Sequence, residues 1–176
     1  MEDSINRAGL LTLSTYNAYA NGLVLDVAAK MTSSELTAES GFSRSTVLRL
    51  LNHMFVTEKF FLACCQGRRQ TFEQSPPEYL AQIVELRQAW QQVAQERQQV
   101  INSYSEDDLT KQITVAEEPS FCLARWQLLL QSLLHSAHHR GELSILMTQL
   151  GYPLPTLDII IRFAEESGQT FPWLDA

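Results

Sequence analysis

Apolar residues recur every three or four positions over four long stretches of the chain, the period of a helix with one buried face. The first stretch, about residues 4–31, carries Leu13, Tyr16, Ala20, Leu23, Val27 and Met31. The second, about residues 43–65, carries Val47, Leu50, Leu51, Met54, Phe55 and Phe61, with Ser43 as its N-cap. The third starts after Pro76-Pro77, a proline start suited to a first helical turn, and runs to about residue 104. Its stripe is Leu80, Ile83, Leu86, Trp90, Val93, Val100 and Tyr104, while Gln88, Gln91, Gln92, Gln95, Gln98 and Gln99 fall mostly on the solvated side. The fourth, about residues 123–150, stops at Gly151-Tyr152-Pro153, a glycine cap followed by a proline.

Helices of this length reach roughly 35–40 Å at 1.5 Å per residue. Four such amphipathic helices predict an all-α protein, a four-helix bundle forming one domain over residues 1–176. A short extra C-terminal helix is expected over residues 157–166, with Phe171-Pro172-Trp173 lying against the bundle. Strand signals are nearly absent; Gln112-Ile113-Thr114-Val115 offers at most a short extended piece. Thr32-Ser33-Ser34-Glu35 and Ser105-Glu106-Asp107-Asp108 each place an acid three residues after a hydroxyl, the capping-box pattern. Each predicts one helical turn in a connector, and the echo between them suggests two similar halves.

Composition narrows the function. At 45 % hydrophobic and 19 % charged residues, the 176-residue chain is of globular type. A net charge of −7 argues against a general affinity for nucleic acid or anionic membranes. No apolar run approaches the ~18–20 residues that span a bilayer. No basic segment followed by an apolar one opens the chain, which leads to the expectation of a cytoplasmic protein. Cys64, Cys65 and Cys122 lack a Cys-x2-Cys spacing and read as small hydrophobes in a reducing compartment.

The candidate chemistry lies in residues 135–142, His-Ser-Ala-His-His-Arg-Gly-Glu. Four residues of helix turn through about 400°, so His135 and His139 stack on one face, where they can share a metal ion. His138 points roughly 100° away from His139. His53, on the second helix and three residues after Leu50, can reach the bundle interior and supply a third ligand. The bland alternative is a set of surface histidines and one core histidine. A histidine site without thiolates suits borderline divalent ions, Zn, Ni, Co or Fe(II). Such neutral ligands leave the ion's charge uncompensated, so that it can polarise water or a thiol.

Glu142 follows His139 by three residues and shares its face. It can be a fourth ligand, a catalytic general base, or a hydrogen-bond acceptor behind a ligand; a plain surface glutamate is the alternative. Arg140 can clamp a substrate carboxylate or serve as an ordinary surface arginine. Asn17 and Asn21 stand mid-helix, where Asn is a poor helix former, which suggests hydrogen bonding toward the site. Glu58 points to a different face from His53 and reads as structural.

These motifs together resemble those of the DinB/YfiT-like metalloenzymes, the damage-inducible DinB superfamily. Tyr16-Asn17-Ala18-Tyr19-Ala20-Asn21 is similar to the family's Tyr-Asn-x-Trp-Ala-Asn, and Leu51-Asn52-His53-Met54 to its Leu-Asn-His-hydrophobic motif. Residues 135–142 resemble its His-x3-His-Arg-Gly-Gln motif, and Leu150-Gly151-Tyr152-Pro153 and Leu157-Asp158 resemble the family's residues C-terminal to that motif. The resemblance spans about residues 10–165, with the motifs in family order. It implies a four-helix bundle with one divalent ion, most often Ni or Zn, held by His53, His135 and His139, in a frequently dimeric cytosolic protein. Relatives include bacillithiol transferases and mycothiol-dependent isomerases, whose metal activates a low-molecular-weight thiol. Two positions depart from the pattern: Glu142 replaces Gln, and Tyr19 replaces Trp.

Two functions compete on this reading, beside a plain helical interaction module, which requires His53 to lie remote from the histidine pair. One is a metal-dependent enzyme, a thiol S-transferase or a hydrolase, acting on a small thiol, an electrophile or water. The other is a non-catalytic metal- or ligand-binding stress-response protein acting as a homodimer.

Overall fold

The backbone of the computed structural model is described for residues 5–39, 46–75, 77–117 and 120–171. Asn6 starts helix α1 (Arg7–Ala28) by accepting the Gly9 amide at 2.8 Å, which satisfies one of the open N–H groups of the first turn. A single turn, α2 (Ser33–Leu36), follows with the full capping box of Thr32 and Glu35. Thr46 then caps α3 (Val47–Cys65), its hydroxyl accepting the Arg49 amide at 3.2 Å. Ser43, the expected cap, lies outside the described residues. A short α4 (Arg69–Gln74) leads to α5 (Ile83–Ser103), and a second capping box, Ser105 with Asp108, forms α6 (Glu106–Thr110). Strands β1 (Gln112–Ala116) and β2 (Phe121–Ala124) pair antiparallel, and α7 (Arg125–Gln149) and α8 (Ile159–Glu166) complete the order.

The expected all-α fold is the observed one: α1, α3, α5 and α7 are the four long helices, and both connector turns fall where the capping boxes put them. Helix α3 packs along α7, α1 along α5, and α1 also touches α7. Helices α3 and α7 end by the same device. Gly67 and Gly151 adopt φ of 71° and 86°, which lets Arg68 N–H bond Ala63 C=O at 2.7 Å and Tyr152 N–H bond Met147 C=O at 2.8 Å.

Three local expectations change. Helix α5 begins at Ile83 rather than after the proline pair; Pro76 lies outside the described residues. Residues 77–82 are non-helical instead, and Asn52 pins them there. Its side chain donates to Leu80 C=O at 3.0 Å and accepts from Leu80 N–H at 2.9 Å, standing in for a helical partner. Residues 121–124, partly expected as the start of the fourth helix, form β2 because Cys122 and Leu123 find partners in Thr114 and Ile113. The buried face of α1 is also rotated. Leu10, Ser14, Asn17, Asn21, Val24 and Ala28 line it, while Leu13, Tyr16 and Leu23 are half-buried.

That rotation exposes the plan of the core. One apolar cluster includes Val24, Leu51, Met54, Leu86, Leu143 and Met147; another gathers Leu10, Cys64, Cys65, Ile101, Leu109, Leu128 and Leu129. Every long helix also buries polar residues: Ser14, Asn17 and Asn21 of α1, Glu58 of α3, Arg97 of α5, and Ser132, Ser136 and Arg140 of α7. Helix α8 has no buried residue and holds Arg162 over the Tyr19 ring at 5.0 Å. Phe171 is half-buried, and residues 172 and 173 of the expected tail contact lie outside the described set. Among the described residues, no helix is long and apolar enough to cross a membrane.

Candidate metal centre

The contact between α3 and α7 brings His53 against His135 and His139. The Nε2 atoms of His53 and His135 are 3.1 Å apart, as are those of His135 and His139. The three rings meet edge to face, with centroids 4.4–4.9 Å apart. This is the trio that helix geometry selects, one ligand from α3 and an i,i+4 pair from α7, and it forms a cluster able to hold a metal ion. Two atoms each about 2.0–2.1 Å from one ion lie about 2.9 Å apart at a right angle and about 3.3 Å apart at the tetrahedral angle. The observed spacing fits one divalent ion in either geometry. Without an ion, one proton at most can sit between two facing Nε2 atoms, so convergence of three favours a shared cation.

His139 is 7 % exposed, and its far side is held. Its Nδ1 lies 2.7 Å from Glu142 Oε2. A carboxylate only accepts, so the ring proton sits on Nδ1 and the Nε2 lone pair faces the other two histidines. Burial pushes the Glu142 carboxyl up, but the hydrogen bond and charge of His139, joined by His138, hold it below the usual carboxylate range. His138 is outside the trio. Its exposed ring reaches Glu142 Oε1 at 3.3 Å.

Asn17, Asn21 and Arg140 occupy the polar layer rather than the space between the histidines. Arg140 Nη1 donates to Asn17 Oδ1 at 2.6 Å and Asn21 Oδ1 at 2.8 Å, inside the bundle, and its guanidinium lies 5.6 Å over the Tyr16 ring. The Tyr16 hydroxyl in turn donates to Leu157 C=O. The amide nitrogens of Asn17 and Asn21 donate to Glu58 Oε1 at 2.8 and 3.0 Å, and Ser136 Oγ adds a third bond at 2.6 Å. Glu58 Oε2 takes Arg97 Nη1 at 2.5 Å, and Arg97 Nε donates to Ser14 Oγ at 2.9 Å. Burial alone raises the Glu58 carboxyl, but the Arg97 charge and the bonds from Ser136 and Arg97 outweigh it, leaving the group below its usual range.

Sequence reasoning passed over Arg97, Ser14 and Ser136, and gave Glu58 no partners. The available signal was Arg97 itself: a charged residue at the position of the α5 stripe between Val93 and Ile101. The cysteines stay apart from this chemistry. Burial pushes the Cys64 and Cys65 thiols up to about 11 and about 12, so both are neutral.

The family follows from the comparison with known proteins: a model of the DinB family matches residues 1–169. The chain belongs to the DinB family. Solved structures agree on the fold of this DinB protein. It is similar to a DinB-like protein from Bacillus cereus, with 21 % identity, a TM-score of 0.66, and coverage of 89 % of this chain and 99 % of the other. It is also similar to a DinB-like protein from Bacillus subtilis, with 15 % identity, a TM-score of 0.63, and coverage of 83 % and 97 %. No functionally curated protein has a sequence matching this DinB chain.

Proposed function

We propose that this DinB protein binds one divalent ion through Nε2 of His53, His135 and His139, and uses it in the chemistry of a small thiol or of water. The meeting of the three rings, with His135 Nε2 at 3.1 Å from both His53 Nε2 and His139 Nε2, carries the reading. Ni or Zn is the first choice and Fe or Co the second, because an all-imidazole set suits borderline ions. The bound ion supplies Lewis acidity to an incoming thiol or water. The class of reaction is thiol S-transfer or hydrolysis, with a low-molecular-weight thiol or an electrophile as substrate.

The chain's own residues divide the remaining work. Glu142 holds the proton on His139 Nδ1; of the three functional roles open to it, the 2.7 Å bond favours that of orienting acceptor. Arg140, with Asn17 and Asn21, braces the helix beside the pair instead of reaching for a substrate. The same reading takes residues 1–176 as one domain working in the cytoplasm as a homodimer. Exposed Leu134, Ile145, Ile160 and Phe163 on α7 and α8 support a covered face.

Elemental analysis of purified wild type beside His53→Ala tests the centre. Wild type retains about one equivalent of divalent metal, and the variant retains little. A wild type that holds no metal, and takes none on titration with Ni or Zn, ends the proposal.

A further inference from the structure

We propose that Glu58 is a positioning residue of the histidine centre, setting the approach of α3 to α7 at which the three Nε2 atoms converge. This rests on the metal-binding reading of the three histidines. Glu58 is on the same helix as His53, five residues further on. Its carboxylate grips α7 twice, in each case through the residue that immediately follows a ligand. Ser136, next to His135, donates directly to Oε1 at 2.6 Å. Arg140, next to His139, is reached through Asn17 and Asn21, whose amides donate to Oε1 while their oxygens accept from Arg140.

Helix α7 therefore carries two stripes about 100° apart, His135-His139-Glu142 and Ser132-Ser136-Arg140. The second fixes the rotation of the first. His53 is anchored in a parallel way, since its neighbour Asn52 clamps the Leu80 backbone. All three ligands follow or precede a polar side chain bonded into the bundle.

Stability alone does not account for this layer. A buried ion pair is often no better for stability than well-packed apolar residues, and its attested uses include fixing register. Here one buried carboxylate serves two guanidinium groups, Arg97 directly and Arg140 through Asn17 and Asn21, and Arg97 Nη2 and Ser132 Oγ find no hydrogen-bond partner among the described residues. The arrangement takes charged groups out of water while holding four helices in one relative setting. A centre built from two helices needs that setting, because a shift of about 1 Å between ligands is enough to spoil it.

The test compares wild type, Ser136→Ala, Glu58→Gln and Leu109→Ala. Leu109 is buried with Leu10, Cys64, Ile101 and Leu128, whereas Met54 beside His53 belongs to the other apolar cluster, so Leu109→Ala serves as a destabilised control outside the polar layer. Each protein is titrated with Co(II), following its visible absorption, and with Zn(II) against a chelator; each apo form is melted in parallel. Ser136→Ala is expected to weaken Zn(II) binding about tenfold and Glu58→Gln about 100-fold, the range seen when groups that orient ligands are removed. Both should also alter the Co(II) band, while Leu109→Ala keeps wild-type affinity and spectrum. The proposal is overturned if Ser136→Ala and Glu58→Gln bind like wild type, or if Leu109→Ala loses as much affinity as Ser136→Ala. Wild type failing to bind either ion is the separate result that removes the metal reading and this inference with it. Should Glu58→Gln not fold, Ser136→Ala decides alone, since it deletes only one hydroxyl.

Discussion

Glu142 accepts the Nδ1 proton of His139 at 2.7 Å, on the side of the ring away from the other two histidines. The bond selects the tautomer whose Nε2 is a lone pair. Glu142→Ala is therefore expected to weaken Zn(II) binding about 10–100-fold, and Glu142→Gln, which keeps an acceptor oxygen, by less than about tenfold. Chelator competition gives both numbers. Equal affinities for the alanine and glutamine variants would show that the bond does not orient the ring.

Metal should stabilise the folded chain by mass action. At 100 times Kd the gain is about 2.7 kcal/mol, which for a chain of this size raises Tm by about 5–11 °C. His53→Ala, which removes a half-buried ring, should keep its helical circular dichroism and lose this shift. A variant that melts higher with metal, as wild type does, would place the ion elsewhere.

Acid should undo the polar layer. Glu58 is held below its usual range, burial being outweighed by Arg97 and the bonds from Ser136 and Arg97. Its folded value is thus lower than the unfolded value of about 4.3. The stabilisation it brings is complete above that unfolded value and disappears as pH falls through the folded one. Asn17, Asn21, Arg97, Ser136 and Arg140 face this carboxylate or its partners from α1, α5 and α7. Removing the charge with Glu58→Gln should lower stability by about 3–5 kcal/mol at neutral pH, the cost of stranding a buried partner. The gap to wild type should narrow below about pH 4. Melting curves from pH 7 to pH 3 check the sign; a gap that widens in acid contradicts it.

Thiol labelling should separate the cysteines. Cys122 is exposed, whereas Cys64 and Cys65 are buried with their thiols pushed up to about 11 and about 12. A disulfide reagent at pH 8 should modify Cys122 alone in the native protein and all three residues in denaturant. Rapid native labelling of Cys64 or Cys65 would mean that the end of the bundle near α6 opens readily.

Much of this was legible in the chain because helix period and cap chemistry are local. His135 and His139 had to share a face, and Thr32-Glu35 and Ser105-Asp108 had to form turns. What escaped was decided between helices. The rule that apolar residues face inward put Leu13 and Tyr16 on the core side of α1, but the buried positions there include Ser14, Asn17 and Asn21, whose partners are Arg97, Glu58 and Arg140. No window on one helix contains those partners. Asn52 likewise hid its role, since the backbone it clamps lies 28 residues away. Residues 121–124 were ambiguous for another reason: a short apolar run becomes a strand only when a partner such as β1 is present.

The polar layer also bears on how the chain comes together. Its bonds join residues far apart in sequence: 41 positions between Asn17 and Glu58, 83 between Ser14 and Arg97, and 123 between Asn17 and Arg140. The helices can form early from neighbouring contacts, whereas these bonds require long loops to close first. A bundle missing either its first or its last long helix would leave charged groups stranded in its interior. Assembly is therefore expected to be all-or-none at this layer, with the histidines meeting only once both ends of the chain have arrived.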